Sequence, residues 1–225
     1  MTGFPSPNFT ARRGGHRPSL IVIHYTAMQS CEAARARLCD PEAEVSAHWL
    51  ISERGEAEAL VEEAQRAWHA GLSSWQGRDD INSHSIGIEL ANNARAPFPE
   101  PQMQALEDLL RGIMSRWNIA PEGVLAHSDI APGRKIDPGL RFDWERLARQ
   151  GLARPRPEVV SAPVGEDFRA LATRIGYSPA ASDADLLQAF RLRWRQSAGG
   201  APDPADLSLA AALARFDVDA AGAGA

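Results

Sequence analysis

The sequence has no long apolar run and no excess of basic residues. Its longest unbroken aliphatic run is Leu20–Ile23, far short of the ~18 residues that a membrane-spanning helix needs. Acidic side chains outnumber basic ones by 29 to 24, which gives a net charge of −5, so nothing favours a nucleic-acid partner. No signal peptide is visible, because Pro5 and Pro7 interrupt the start of the sequence. These absences predict a soluble protein that neither enters a membrane nor binds nucleic acid.

Cysteine is also scarce. The two cysteines, Cys31 and Cys39, lie eight positions apart in a stretch that favours a helix. Eight helical residues rise about 12 Å, whereas the Cα atoms of a disulfide lie within ~7 Å of each other. The sequence therefore predicts two reduced thiols without a catalytic role.

Lysine is the rarest charged residue. Of the 24 basic residues, 23 are arginines, and the single lysine is Lys135. It lies in a loop, Gly133–Gly139, that is dense in residues typical of turns. Chance accounts for this placement as well as function does, but the loop is the first place to look for a functional charge.

The rest of the composition is that of an ordinary globular protein. Hydrophobic residues make up 44% and charged residues 24% of the chain, which excludes wholesale disorder, collagen and a coiled coil. The length of 225 residues is about one and a half times the ~150 residues of an average domain. One sizeable domain and a smaller second one are expected.

The character of the sequence changes near residue 150. All six histidines, both cysteines and five of the six tryptophans lie before that point, and a proline-rich stretch follows it. The sequence therefore predicts a main domain at 1–150, a linker at 151–165, a helical domain at 166–219 and a flexible tail at 220–225. Within the second domain the pattern predicts three helices, at 166–175, 183–196 and 204–216. Asp183 is the expected N-cap of the second helix, and Pro204 suits the first turn of the third.

The main domain alternates strand and helix patterns. Helices are predicted around the two cysteines and over Pro101–Trp117, where apolar residues recur every three or four positions. The predicted strands are Leu20–Ile23, Ser46–Ile51, Ser85–Leu90 and Val124–Ala126. Such alternation predicts an α/β fold, in which helices flank a mixed central sheet, followed by a small all-α module of three helices.

Polar side chains stand where three of these strands end. They are His24, Glu89 and His127, and Asp137 follows ten residues after His127 across a loop stiffened by proline. Two imidazoles and one carboxylate form a three-ligand set for catalytic zinc that leaves the fourth position to water. The spacing is not diagnostic, because the two histidines are 103 positions apart and a single histidine after a strand is often merely packed or solvated. A zinc hydrolase and a protein without a metal both remain open at this point.

Five segments carry a family resemblance. They are Ser6–Phe9, Ile23–Ala27, Ala67–Gly71, Ser85–Glu89 and the long composite motif His127–Gly139. In this order they resemble the zinc-dependent N-acetylmuramoyl-L-alanine amidases of the AmpD/AmiD type, which belong to a peptidoglycan-recognition-like family. The likeness runs from about residue 5 to residue 148.

The resemblance implies a role for each matching residue. His24, His127 and Asp137 match the ligands of one Zn²⁺ per chain, Glu89 matches the catalytic acid and base, and Lys135 matches a basic residue that faces the oxyanion. The implied reaction is hydrolysis of the amide bond between the lactyl group of N-acetylmuramic acid and the L-alanine of the stem peptide. The family fold places the zinc in a surface groove. Three side chains are expected to line that groove: Trp68, His69 and Trp75.

The resemblance also implies partners and a location. Peptidoglycan fragments or muropeptides, including 1,6-anhydro-muropeptides, are the expected partners, in cell wall degradation or recycling. Relatives occur in the cytoplasm and in the cell envelope. Because no signal sequence is visible, the bacterial cytoplasm is expected and the envelope is the alternative.

The C-terminal helices and the activity both have alternative interpretations. Residues 187–191 and 201–203 resemble a small peptidoglycan-binding module, but the signature before its third helix is not intact. A stabilising helical addition is the other interpretation. For the main domain, the alternatives are a receptor that binds peptidoglycan without cleaving it, and a glycosidase. A receptor would be expected to lack a zinc ligand, and a glycosidase needs two carboxylates flanking a sugar.

Overall fold

Parallel strands form the centre of the molecule. The computed structural model describes residues 5–158 and 165–222. Its main sheet has five strands in the order β4-β3-β6-β2-β7, and only β4 runs antiparallel to its neighbour. A separate antiparallel pair joins β1 and β5. The strands are β1 (Phe9–Thr10), β2 (Leu20–Tyr25), β3 (Trp49–Ile51), β4 (Ala57–Ala59), β5 (Arg66–Ala67), β6 (Ser85–Leu90) and β7 (Val124–Ala126).

The predicted α/β fold with a mixed sheet is confirmed. Strands β2, β6 and β7 lie where the sequence predicts them, although β2 extends to Tyr25. Near-continuous apolar runs, typical of strands buried on both faces, indicated β2 and β7, whereas an alternating pattern indicated β6. The strand predicted at Ser46–Ile51 begins only at Trp49. Strands β1, β4 and β5 were missed, since two or three residues are too short to show an alternating pattern.

Helices cover both faces of the main sheet. Helix α3 places its apolar stripe in one cluster with Ile21 and Ile23 of β2. Helices α6 to α8 pack on the opposite face, in a cluster that contains Leu20 and Val22. Neighbouring residues of one strand thus serve opposite faces. The helices are α1 (Cys31–Leu38), α2 (Ile81–His84), α3 (Glu100–Trp117), α4 (His127–Ile130), α5 (Trp144–Arg149), α6 (Phe168–Ile175), α7 (Asp183–Trp194) and α8 (Pro204–Gly222).

Several local predictions can be compared with the structure. Cys31 and Cys39 are free and half-buried, as predicted. The predicted cap Asp183 is wrong: the side chain of Ser182 accepts a hydrogen bond from the backbone N–H of Asp185 and so caps α7. Helix α8 continues through Gly222, so the first part of the predicted tail is helical, while residues 223–225 lie outside the described residues. No helix in the described ranges is long and apolar enough to cross a membrane.

The predicted division into two domains stays a prediction. Residues 151–158 form neither helix nor strand, and residues 159–164 of the predicted linker lie outside the described part of the chain. Across this stretch, the C-terminal helices bury apolar side chains in the same cluster as the sheet.

A buried polar contact joins the C-terminal helices to the main sheet. Its centre is the carboxylate of Asp129 in α4, which is fully buried. It accepts hydrogen bonds from the hydroxyl of Tyr177 at 2.8 Å and from the guanidinium of Arg193 at 2.9 Å. The same carboxylate accepts the backbone N–H of Ala126 at 2.8 Å. Side chains from beyond residue 165 therefore hold the turn that leads into α4.

Candidate active site

A groove of about 750 Å³ opens at the carboxyl ends of β2 and β6. Ligand sites of open α/β sheets commonly lie at this edge, where loops leave rigid strands. The groove is lined by both polar and apolar side chains. They include Tyr25, Met28, Arg37, Val45, Trp68, His69, Glu89, His127, Lys135, Ile136 and Asp137.

Three of the predicted site residues meet beside this groove, which two of them, His127 and Asp137, line. Nδ1 of His24 lies 2.9 Å from Nδ1 of His127 and 3.1 Å from Oδ2 of Asp137. Nδ1 of His127 lies 3.0 Å from the same carboxylate oxygen. All three residues are buried, and each offers one ligand atom to a metal ion. The sequence prediction that these residues converge is confirmed.

The fold supplies each of the three in a different way. His24 is part of the buried strand β2, and His127 begins α4 directly after β7. Because β2 and β7 are neighbouring parallel strands, both imidazoles reach the same edge of the sheet. Asp137 belongs to the loop that follows α4, and its backbone carbonyl accepts the N–H of Ser128 at 3.0 Å, which folds the loop back.

The charges of the three residues suit a metal ligand set. Burial, together with the neighbouring His127, lowers the pKa of His24 to about 4, so that its imidazole is neutral at pH 7. Burial acts to raise the pKa of Asp137, but its close contacts with the rings of His127 and His24 outweigh it and leave that pKa well below its usual range. Neutral imidazole and carboxylate are the forms that bind a metal. Two nitrogens and one oxygen fit zinc.

The second nitrogen of each histidine has a partner of its own. Nε2 of His127 lies 3.2 Å from the carbonyl oxygen of Ala70, which can only accept a hydrogen bond. His127 therefore carries its proton on Nε2. Its Nδ1 has a free lone pair, which points to where Nδ1 of His24 and Oδ2 of Asp137 also converge. Nε2 of His24 lies 3.0 Å from Nδ1 of His69.

Glu89 stands beside the ligand set. It is paired with His24 in the parallel register of β6 and β2. Its Oε2 is buried and has no hydrogen-bond partner among the described residues. Burial, and secondly the negative charge of Asp137, raises its pKa to about 8. A carboxyl group with a raised pKa can accept and return a proton near neutral pH, and a cation held nearby would lower that pKa.

Lys135 lines the groove with a half-buried side chain. Its ammonium has no hydrogen bond or ion pair within the described ranges, and only its backbone N–H is bonded, to Ala131. The adjacent Arg134 is used differently, because its guanidinium donates to the carbonyls of Leu72 and Ala70. Lys135 is therefore the basic residue of this loop that remains available to a bound molecule.

The three predicted groove residues have different surroundings. Trp68 lines the groove. His69 also borders it, but its ring is mostly buried behind His24. Trp75 was placed wrongly: it is 6% exposed, packs edge-on against Tyr177 and belongs to the apolar cluster under the C-terminal helices. An indole suits a core as well as a sugar-binding rim, and the sequence does not distinguish the two.

Other residues of the groove were missed. Arg37 and Val45 come from α1 and the loop after it, and Tyr25 ends β2. Only Tyr25 had a signal, because it directly follows His24 in a matching motif. Single arginines and valines in a helix or loop give none.

Comparisons with known proteins agree on one family. The Amidase_2 family model, described as N-acetylmuramoyl-L-alanine amidase, matches residues 14–140. The N-acetylmuramoyl-L-alanine amidase AmiD of Escherichia coli is 42% identical over 152 residues, which are 60% of this chain and 54% of that protein. The 1,6-anhydro-N-acetylmuramyl-L-alanine amidase AmpD of Haemophilus influenzae is 37% identical over 63% of this chain and 86% of its own length. The match thus spans about half the length of AmiD and most of AmpD.

Solved structures extend the likeness to the C-terminal helices. The complex of Escherichia coli AmiD with the substrate anhydro-N-acetylmuramic acid-L-Ala-D-gamma-Glu-L-Lys has a TM-score of 0.79 at 32% identity, covering 92% of each chain. AmpDH3 from Pseudomonas aeruginosa, in complex with anhydromuramic pentapeptide, has a TM-score of 0.78 at 30% identity and covers 92% of this chain and 95% of its own.

Proposed function

The chain belongs to the N-acetylmuramoyl-L-alanine amidase family, and we propose that it hydrolyses the amide bond between the lactyl group of N-acetylmuramic acid and the L-alanine of the stem peptide. The substrates are peptidoglycan or muropeptides, among them 1,6-anhydro-muropeptides. The observation that carries the proposal is the convergence of His24, His127 and Asp137 beside Glu89, whose carboxylate Oε2 is buried. The substrate complexes of AmiD and AmpDH3 support the substrate class.

We propose that His24, His127 and Asp137 hold one Zn²⁺ per chain. Three protein ligands that leave a position for water are typical of catalytic zinc. When bound, zinc lowers the pKa of a neighbouring water and polarises a carbonyl group.

Two further side chains perform the remaining chemistry. Glu89 takes the proton of the attacking water and delivers it to the departing amine nitrogen of L-alanine. Its position supports this role, because its Oε2 is buried beside the three residues and has no hydrogen-bond partner among the described residues. The ammonium of Lys135 faces the oxygen that gains negative charge as water adds to the amide carbon. Trp68 lines the groove in which the sugar and peptide would lie.

Digestion of a defined anhydro-muropeptide tests this function. We expect two products by mass, the anhydro-sugar and the free stem peptide, from protein whose zinc content is close to one per chain. His24→Ala should lose both the metal and the activity. Glu89→Gln should keep the metal and lose most of the turnover, because it removes the proton carrier but no ligand.

A control and two contrary outcomes complete this experiment. His84→Ala should leave zinc content and turnover unchanged, since His84 lies outside the groove against His16. Tight binding of the muropeptide without cleavage would support a receptor instead. Release of fragments cut between sugars would support a glycosidase.

A further inference from the structure

A chain of buried hydrogen bonds leads away from His24. Nε2 of His24 lies 3.0 Å from Nδ1 of His69, and Nε2 of His69 lies 3.1 Å from Oγ of Ser85. The hydroxyl of Ser85 in turn donates to the backbone carbonyl of Ile81 at 2.6 Å. His24, His69 and Ser85 are all buried.

The last partner fixes the direction of every bond in this chain. A carbonyl oxygen only accepts, so the single hydroxyl hydrogen of Ser85 points to Ile81. Ser85 must then accept from Nε2–H of His69. A neutral imidazole with its hydrogen on Nε2 has a bare Nδ1, which accepts from Nε2–H of His24. As a result, Nδ1 of His24 keeps its lone pair and directs it at the position that a metal ion shared with His127 and Asp137 would take.

The segment formed by His69 and Ala70 also orients His127, the other proposed histidine ligand. The carbonyl of Ala70, the residue after His69, accepts from Nε2 of His127. The backbone N–H groups of His69 and Ala70 both donate to Oδ1 of Asn82, at 3.0 and 2.8 Å. One side chain, Asn82, therefore anchors the two partners that face the two histidine ligands.

Packing leaves the ring of His69 little freedom. A Cβ atom placed on Gly87 would lie 2.4 Å from the ring, closer than any real contact. The backbone N–H of Gly87 donates a hydrogen bond to Nδ1 of His48 at 2.9 Å. Because Gly87 has no side chain, the ring of His69 fits between Gly87 and His24.

We propose that His69 is a positioning residue: together with Ala70 and Asn82 it sets the hydrogen-bonding state of both histidine ligands before any metal binds. The inference deepens the proposed function, since it concerns the same metal site. Partners of this kind typically change metal affinity by ~10- to 100-fold. This positioning role of His69 is distinct from the contact with substrate that the sequence predicted for it.

The tautomer of His24 in metal-free protein is the direct test. Long-range ¹H–¹⁵N NMR on metal-free wild-type protein should show His24 with hydrogen on Nε2 and none on Nδ1. In His69→Phe, which keeps the ring and loses the acceptor, His24 should become a mixture of tautomers. His69→Asn places an amide oxygen near the former Nδ1 and should restore the wild-type signal.

Zinc affinity, measured by chelator competition, is the second readout. We expect a loss of ~10- to 100-fold in His69→Phe and a smaller loss in His69→Asn. Ser85→Ala tests the same chain with a mild truncation, should His69→Phe fail to fold, and should also weaken zinc binding. His84→Phe is the matched control and should bind zinc as the wild type does.

The outcomes separate this inference from the proposed function. Hydrogen on Nδ1 of His24 in the wild type, or wild-type zinc affinity in Ser85→Ala and folded His69→Phe, would overturn the positioning role even in an active amidase. Wild-type protein that binds no zinc would instead refute the proposed metal site, while the NMR of the metal-free protein still decides the tautomer.

Discussion

Replacing Arg193 with alanine should destabilise the protein strongly. The guanidinium is 3% exposed and donates to the fully buried carboxylate of Asp129 and to the carbonyl of Val124, both at 2.9 Å. It also lies 4.0 Å from the ring centroid of Trp144. Removing it leaves a buried carboxylate with only two hydrogen bonds, from Tyr177 and a backbone N–H. Breaking a buried pair from one side costs about 3–5 kcal/mol.

Urea unfolding and calorimetry would measure this loss. At about 2–4 °C per kcal/mol for a chain of this size, the expected fall in Tm is roughly 6–20 °C. Arg149→Ala is the matched control, because Arg149 pairs with Glu145 on the surface, where the two side chains are 75% and 73% exposed. Such a pair contributes about 0.3–0.5 kcal/mol. A loss in Arg193→Ala as small as that of the control would refute the reasoning.

Three further predictions concern other parts of the molecule. Lys135→Ala should lower turnover by ~10²- to 10³-fold, as expected for one lost oxyanion donor, while zinc content stays unchanged. Lys135→Arg should recover part of this loss, and wild-type turnover in Lys135→Ala would exclude the role. Deleting residues 158–225 should abolish cooperative thermal unfolding, because it removes the helices that pack on Leu20 and Val22. A truncated protein that still unfolds in one cooperative transition would instead confirm the predicted domain boundary. Burial, with the charge of Arg12, lowers the pKa of His48 to about 3, whereas the unfolded chain takes up that proton near its ordinary value of about 6.5. The free energy of unfolding should therefore fall as the pH drops from 6.5 towards 3, and it should fall less in His48→Asn. Urea titrations of both proteins at pH 7 and 4.5 would measure the two losses. An equal loss in both would contradict the lowered pKa of His48.

The convergence of His24, His127 and Asp137 was predictable because their positions follow from the sheet. His24 and His127 each stand at the carboxyl end of an apolar run, and neighbouring parallel strands bring such ends together. The turn residues around Asp137 made it plausible that the loop folds back. Glu89 follows from the same logic, since its strand pairs with that of His24.

The residues behind the ligands were not predictable in the same way. His69 and Asn82 lie in loop and short-helix segments that show no period, and their hydrogen bonds to one another depend on backbone geometry. A histidine beside a tryptophan in a loop suggests a binding surface equally well. Only the distances to His24 and Ser85 reveal that its ring faces the protein interior.

The predicted domain boundary rests on composition, whereas the apolar pattern of β2 concerns how the sheet is covered. Strand β2 is apolar at every position from Leu20 to Ile23, which predicts a strand covered on both faces. Helix α3 covers only the face of Ile21 and Ile23, so a second layer was required. The C-terminal helices supply that layer, since their buried apolar side chains share one cluster with Leu20 and Val22. A change of composition near residue 150 therefore does not by itself locate the end of the core, and the truncation at residue 158 tests where it lies.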